Sequence, residues 1–179
     1  TCADRGAEVI FISGPVQSYP VHERIKVVKV NSAHEMYEHA KAQFATSEIS
    51  IFSAAVSDYR PSTSHNKKLK KNGKALQIDL VENPDIALEL GKLKSEKQIN
   101  VGFALETDEE EQNALKKLDK KNFDLIVLNS LKDAGAGFSH ETNKITMYSK
   151  SGSPKRFELK SKQEVANDIV DAIEDRIHA

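Results

Sequence analysis

Asp58, Tyr59, Arg60 and Pro61 follow, one residue on, the apolar run Ile49–Val56, which ends in the small residues Ser53, Ala54 and Ala55 before Val56. Small side chains at the carboxyl end of a strand let a ligand approach the backbone, and charged groups just beyond can hold its polar atoms. In open α/β sheets that edge is where ligands bind. Asp58 can accept a ligand's N–H or help hold a divalent cation; capping the turn into Pro61 is its plain alternative, as packing is for the three small residues. Asn83-Pro84-Asp85-Ile86 sets backbone N–H groups at the start of a helix, which suits phosphate or base-edge contacts. Phe103, near the end of another apolar run, can stack on a base, although an isolated aromatic more commonly serves a core.

Lysines are clustered, with five in Lys67–Lys74 and four in Lys116–Lys121. On a mobile loop such a group can close over phosphates and exclude water; as a solvated charge run it would do nothing specific. Lys117 and Lys121 are four apart and share a helix face, but so do Lys116 and Lys120, and either pair complements a helix C-terminus. Periodicity does not choose between them. No Ser-His-Asp or Cys-His arrangement is present, and the six histidines have no metal spacing, so no protein-built metal site is expected.

The elements that must position these residues alternate between strand and helix. Ala7–Ile12 and Ile25–Val30 read as strands, Asn31 or Ser32 as the cap of a helix carrying Met36, Ala40 and Phe44, and Ile49–Val56 as a buried third strand. A polar loop spans Pro61–Gly73, followed by the alternating strand Ala75–Leu80. Pro84 opens a helix to about Lys94. Ile99–Ala104 is a strand, Thr107 or Asp108 starts a helix to Lys120, and Phe123–Asn129 is the next strand. After Gly135–Gly137, Lys144–Ser149 and Arg156–Leu159 flank a turn and predict a β-hairpin. Ser161 caps a closing helix with Val165, Ile169, Ala172, Ile173 and Ile177 on one face. The pattern predicts one α/β domain over 1–179, doubly wound and Rossmann-like, with a mostly parallel sheet and helices on both faces.

The 179 residues suffice for one well-buried domain, and a net charge of −1 gives no overall field directed at nucleic acid or membrane. The single cysteine, Cys2, fits a reducing compartment, and the cytoplasm is the expected location. The start, Thr1-Cys2-Ala3-Asp4-Arg5-Gly6, reads as the tail of a helix already under way, not a signal peptide. A doubly wound domain ordinarily opens with a central strand and a glycine-rich turn, so about thirty further residues are expected ahead of Thr1.

In order, spacing and residue type, Ser53–Pro61, Lys67-Lys68-Leu69-Lys70-Lys71, Asn83-Pro84-Asp85-Ile86 and Gly102-Phe103-Ala104-Leu105-Glu106-Thr107 together resemble the phosphopantothenate–cysteine ligases. These coenzyme A pathway enzymes often form the C-terminal half of a bifunctional flavoprotein. The resemblance runs from Arg5 to the last helix. It implies joining of 4'-phosphopantothenate to L-cysteine with CTP (ATP being possible) and Mg²⁺, through an acyl-cytidylate, in a homodimer to which the flap at about 61–80 and the hairpin at about 144–160 contribute. A fused or partner decarboxylase domain is implied as well. It further implies nucleotide contacts from Ser53, Ala54, Ala55, Asp58, Asn83–Ile86, Phe103, Lys117 and Lys121, the last two favoured by Lys121-Asn122-Phe123-Asp124. Lys68 matches the first lysine of the family's flap, and Glu106 stands nearby without an assigned contact. The family's Gly-Gly-Thr turn and Asn-x-Ser-Ser-Gly segment, which engages phosphopantothenate, do not occur in these residues. Two other readings are a Rossmann-type NAD(P)-binding oxidoreductase, disfavoured by the lysine flap, and a non-catalytic nucleotide-binding fragment.

Overall fold

The computed structural model describes residues 1–63, 67–70, 73, 75–106, 108–130, 141–150 and 152–178. Lys71 of the expected flap, Thr107 and the Gly135–Gly137 loop lie outside the described residues. In chain order the elements are β1 (Val9–Ser13), β2 (Ile25–Lys29), α1 (Ala33–Phe44), β3 (Ile49–Phe52), β4 (Tyr59–Pro61), β5 (Leu80–Glu82), α2 (Ile86–Leu93), β6 (Ile99–Glu106), α3 (Glu110–Lys120), β7 (Leu125–Ser130), β8 (Thr142–Asn143), β9 (Ile145–Ser149), β10 (Lys155–Arg156), β11 (Lys160–Ser161) and α4 (Lys162–Ile177).

A five-stranded sheet of order β10-β9-β7-β6-β3 forms the centre, with β3, β6 and β7 parallel and β9 antiparallel to β7. Because β10 is antiparallel to β9, four of its strands point one way and the sheet is mostly parallel. On one face α4 covers Val101, Val127, Ile145 and Met147; on the other, α3 and Ala87 of α2 cover Ala104, Ile126 and Leu128. Helices therefore lie on both faces. Fully burying one Val, Leu or Ile side chain contributes about 1.5–3 kcal/mol, and β7 buries Leu125, Ile126, Val127 and Leu128 in succession.

Gly102 has a definite task within β6. The ring of Phe123 lies on it, and a Cβ there would stand 2.1 Å from Cε2 of that ring. Asp124, next in sequence, accepts the Asn100 amide N–H at 2.7 Å and pairs with Lys94 at 3.0 Å, in a largely buried bridge tying the end of α2 to the sheet.

Several boundaries differ from the sequence expectation. The third strand stops at Phe52 and is a partly exposed edge, because only β6 pairs with it; Ser53–Val56 leave the sheet. The expected strand Ala75–Leu80 is instead β5, Leu80–Glu82, paired antiparallel with β4, which ends at Pro61 where the loop was expected to begin. Its alternation buries nothing within the chain, as Leu76 and Ile78 are 67% and 60% exposed. Asp85, not Pro84, starts α2: its carboxylate accepts the Leu88 N–H at 3.1 Å. Helix α3 begins at Glu110, after Glu109 in the left-handed region (φ 44°). The hairpin β9–β10 exists, but as an extension of the main sheet. Among the described residues no helix is long and apolar enough to cross a membrane.

Strands β1 and β2 form their own parallel pair, and no ladder joins them to β3. Ser32 caps α1 by accepting the Glu35 N–H at 3.1 Å, while Glu35 reaches back to the Asn31 N–H at 2.7 Å. Ser161 and Glu164 form a reciprocal capping box on α4, and Ile177, expected on its apolar face, is 54% exposed beyond the last buried turn. Hydrogen bonds from the Ser161 hydroxyl and N–H hold the Glu164 carboxyl below its ordinary value. A depressed carboxylate stabilises the fold above its unfolded-state value and ceases to do so as pH falls through the folded one. Ser161→Ala should therefore lower Tm at neutral pH, with the gap to the parent narrowing below about pH 4; a gap constant with pH would count against this coupling.

Candidate functional site

Beyond the carboxyl end of β3 the chain opens a cavity of about 450 Å³. Its walls come from five segments: Met36 of α1, the stretch from Phe52 at the end of β3 to Tyr59, Glu82–Ala87 leading into α2, Phe103 of β6, and Lys117, Lys121 and Phe123 at and just beyond the far end of α3. The volume lies within the usual range for a small-molecule site. The rings of Phe52 and Phe123 meet at 5.7 Å and 42°, giving an apolar floor.

The two lysines are each held by a carboxylate. Lys117 Nζ lies 2.5 Å from Glu106 Oε1, at the end of β6. Lys121 Nζ lies 3.0 Å from both oxygens of Asp85. Asp85 is thus shared between an ion pair and the N-cap of α2. The opposite wall is braced by backbone and amide contacts. Asn83 donates its N–H to the Asp58 carbonyl at 2.7 Å and its side-chain amide to the Ser57 carbonyl at 2.9 Å. Arg60 donates to the Glu82 carbonyl at 2.7 Å and to Asn83 Oδ1 at 3.1 Å. The Asn83 side chain is consequently a brace between two loops, while the Asp58 carboxylate is exposed to solvent.

Nine of the residues singled out from sequence line this cavity: Ala54, Asp58, Asn83, Pro84, Asp85, Ile86, Phe103, Lys117 and Lys121. Ser53 and Ala55 sit beside Ala54 but off the wall, exposed, because the chain has already left the sheet there. Lys68 is exposed and is not among the residues that line the cavity. Of the two lysine pairs, Lys117 and Lys121 line the cavity, whereas Lys116 and Lys120 are exposed and do not. Sequence reasoning did not assign Phe52, Phe123 or the carboxylate that orients Lys117. Phe123, inside Lys121-Asn122-Phe123-Asp124, was the one such signal in plain view.

Chemically, the arrangement combines an apolar floor, an exposed carboxylate, the N-terminus of α2 and two cations on one side. Such a site can take a flat ring with polar edges at one end and a phosphorylated group at the other. Among the described residues no three His, Cys, Asp or Glu side chains converge to hold a metal ion.

Residues 1–177 match the family model described as the DNA/pantothenate metabolism flavoprotein C-terminal domain. A relative of unknown prokaryotic origin, named Cysteine/Cysteine sulfinic acid decarboxylase, is 50% identical over 176 residues, covering 98% of this chain and 49% of its own length. The Coenzyme A biosynthesis bifunctional protein CoaBC of Bacillus subtilis (strain 168) is 41% identical over 168 residues, covering 94% of this chain and 41% of that protein. The chain thus spans half or less of the length of these relatives. The solved C-terminal domain of Coenzyme A biosynthesis bifunctional protein CoaBC matches with a TM-score of 0.81 at 35% identity, over 99% of this chain and 78% of that one. The DNA/Pantothenate Metabolism Flavoprotein from Streptococcus pneumoniae shares the fold, with a TM-score of 0.75 at 19% identity over 97% of this chain and 83% of its own.

Proposed function

The chain belongs to the DNA/pantothenate metabolism flavoprotein C-terminal domain family, and from that premise we propose that it is a phosphopantothenate–cysteine ligase domain of coenzyme A biosynthesis. The reaction joins 4'-phosphopantothenate and L-cysteine with CTP. The substrate carboxylate attacks the α-phosphorus, forming an acyl-cytidylate and releasing pyrophosphate; the cysteine amine then attacks the acyl carbon, forming the amide as CMP leaves. Neither step requires a protein nucleophile. Both require positioned cations and exclusion of water.

The observation that carries this reading is the convergence, in one cavity, of Asp58, Asn83–Ile86, Phe103, Lys117 and Lys121 from four separate segments. In this reading the cytosine lies against the apolar floor near Phe103, with Asp58 accepting from its amino group. The triphosphate runs toward Lys117 and Lys121. Mg²⁺ enters on the triphosphate, whose oxygens suit a small hard cation, and would offset phosphate charge. Lys68 closes from the flap over the reacting groups. The exposed apolar residues of the β4–β5 ribbon and the stretch leading into it, Tyr59, Leu76, Ile78 and Leu80, are what a second copy would cover, in a cytoplasmic homodimer. The decarboxylase name borne by the 50% identical relative belongs to a protein of which the chain covers 49%. A decarboxylase unit fused to, or partnered with, the ligase would use its product.

Thermal unfolding with Mg²⁺ and each nucleoside triphosphate separately tests the nucleotide assignment. CTP at a hundredfold excess over its Kd should stabilise the protein by about 2.7 kcal/mol, with little effect from GTP or UTP. Stabilisation by NAD(P), and by no triphosphate, would overturn the assignment in favour of an oxidoreductase.

A further inference from the structure

The two lysines of the cavity are paired differently. The difference bears on how the site receives a polyphosphate, an inference that rests on the ligase reading. Glu106 is 15% exposed at its side chain, and Lys117 is the cation set against it at 2.5 Å. Withdrawing Lys117 would strand a carboxylate with little access to water, an unfavourable state. Asp85 differs in both respects. It is 39% exposed, and besides Lys121 it already accepts the Leu88 N–H at the start of α2. If Lys121 leaves, the Asp85 charge keeps a hydrogen bond, the favourable end of the helix dipole and water.

We propose that Lys117 is a fixed cation positioned by Glu106, whereas Lys121 is an exchangeable cation, held by Asp85 until a polyphosphate arrives and then surrendered to it. Glu106 is then a positioning residue that contacts the ligand only through Lys117. Asp85 is a competitor that sets how tightly a polyphosphate is held and how readily pyrophosphate can leave.

The roles predict opposite signs for two substitutions of the same charge type. Asp85→Asn keeps the helix cap, since asparagine caps as well as aspartate, and removes the competitor. Glu106→Gln removes the anchor of Lys117. A general electrostatic effect, or a purely structural role for both pairs, would move the two variants the same way. The probe is inorganic tripolyphosphate, titrated calorimetrically into the parent chain and each variant, beside CTP with Mg²⁺. Tripolyphosphate should bind Asp85→Asn about threefold tighter and Glu106→Gln about tenfold weaker than the parent. Glu106→Asp, whose shorter side chain no longer reaches Lys117, should weaken binding as well. In a Lys117→Ala background Glu106→Gln should have no further effect on affinity. Changes of the same sign, a further loss in the Lys117→Ala background, or no binding of tripolyphosphate to the parent chain would each overturn the proposal. Failure of the ligase reading alone has a different signature: CTP would bind no better than tripolyphosphate and no amide product would form, while the opposite signs would persist.

Discussion

Gly102→Ala is expected to destabilise the protein by about 1–3 kcal/mol, the usual range for forcing a methyl group into a packed core. The added carbon would meet three atoms of the Phe123 ring at 2.1, 2.5 and 2.6 Å. The ring has little freedom to withdraw. Phe123 is buried against Ala87, Ala104 and Leu118, and its backbone N–H donates to the Leu118 carbonyl at 2.9 Å. Urea denaturation should show a lower midpoint with an unchanged slope. Combining Gly102→Ala with Phe123→Leu should cost less than the sum of the single changes, because the two side chains occupy one space. Full additivity would mean that the strand, not the ring, absorbs the strain. Since Phe123 is also part of the cavity floor, on the ligase reading whatever fold survives in Gly102→Ala should bind CTP more weakly.

Lys68→Ala should leave stability alone and remove most turnover. Lys68 is exposed and contributes nothing to the core, so Tm should stay within a degree or so of the parent. On the ligase reading its ammonium closes over charge that builds during the reaction, and losing one such donor typically lowers kcat by about 10²–10³. The decrease should fall on kcat more than on the KM for CTP, because in this reading the cavity rather than the flap grips the base and triphosphate. Single-turnover formation of the acyl-cytidylate, followed by quenching and separation, measures it directly. Unchanged turnover would remove the flap from the mechanism.

The sequence made the sheet legible because β7 carries the unbroken apolar run Leu125–Leu128 and β6 is apolar but for Asn100 ahead of Glu106, and such runs have few solutions other than a buried strand. It made α1 and α4 legible through Ser32 with Glu35 and Ser161 with Glu164, where side chain and backbone exchange hydrogen bonds within four residues. What it hid depended on partners distant in the chain. Ser53–Val56 is as apolar as a strand but has no neighbour to continue the ladder beyond Phe52, so it turns away. Leu76, Ile78 and Leu80 alternate as a strand does, yet no surface of the same chain covers them. In the site, each residue type was readable by its short motif, but Glu106 and Lys117 face one another only because α3 returns along β6. Their pairing is a property of the packing, and no spacing rule in the sequence contains it.

The contact between α2 and the end of α3 has a consequence for how the chain can vary. A Cβ at Gly91 would lie 2.2 Å from the Lys121 carbonyl oxygen, and Asn122 donates its side-chain amide to the Gly91 carbonyl at 3.0 Å. The two segments are therefore interlocked just behind the residues that face the cavity, with Asp85 at the head of one and Lys121 at the tail of the other. A larger residue at position 91 would drive the Lys121 backbone outward and draw its ammonium from Asp85. Substitutions in these two helices are thus epistatic by construction: the sequence can drift in one only as the other gives way, and the affinity of the site drifts with them.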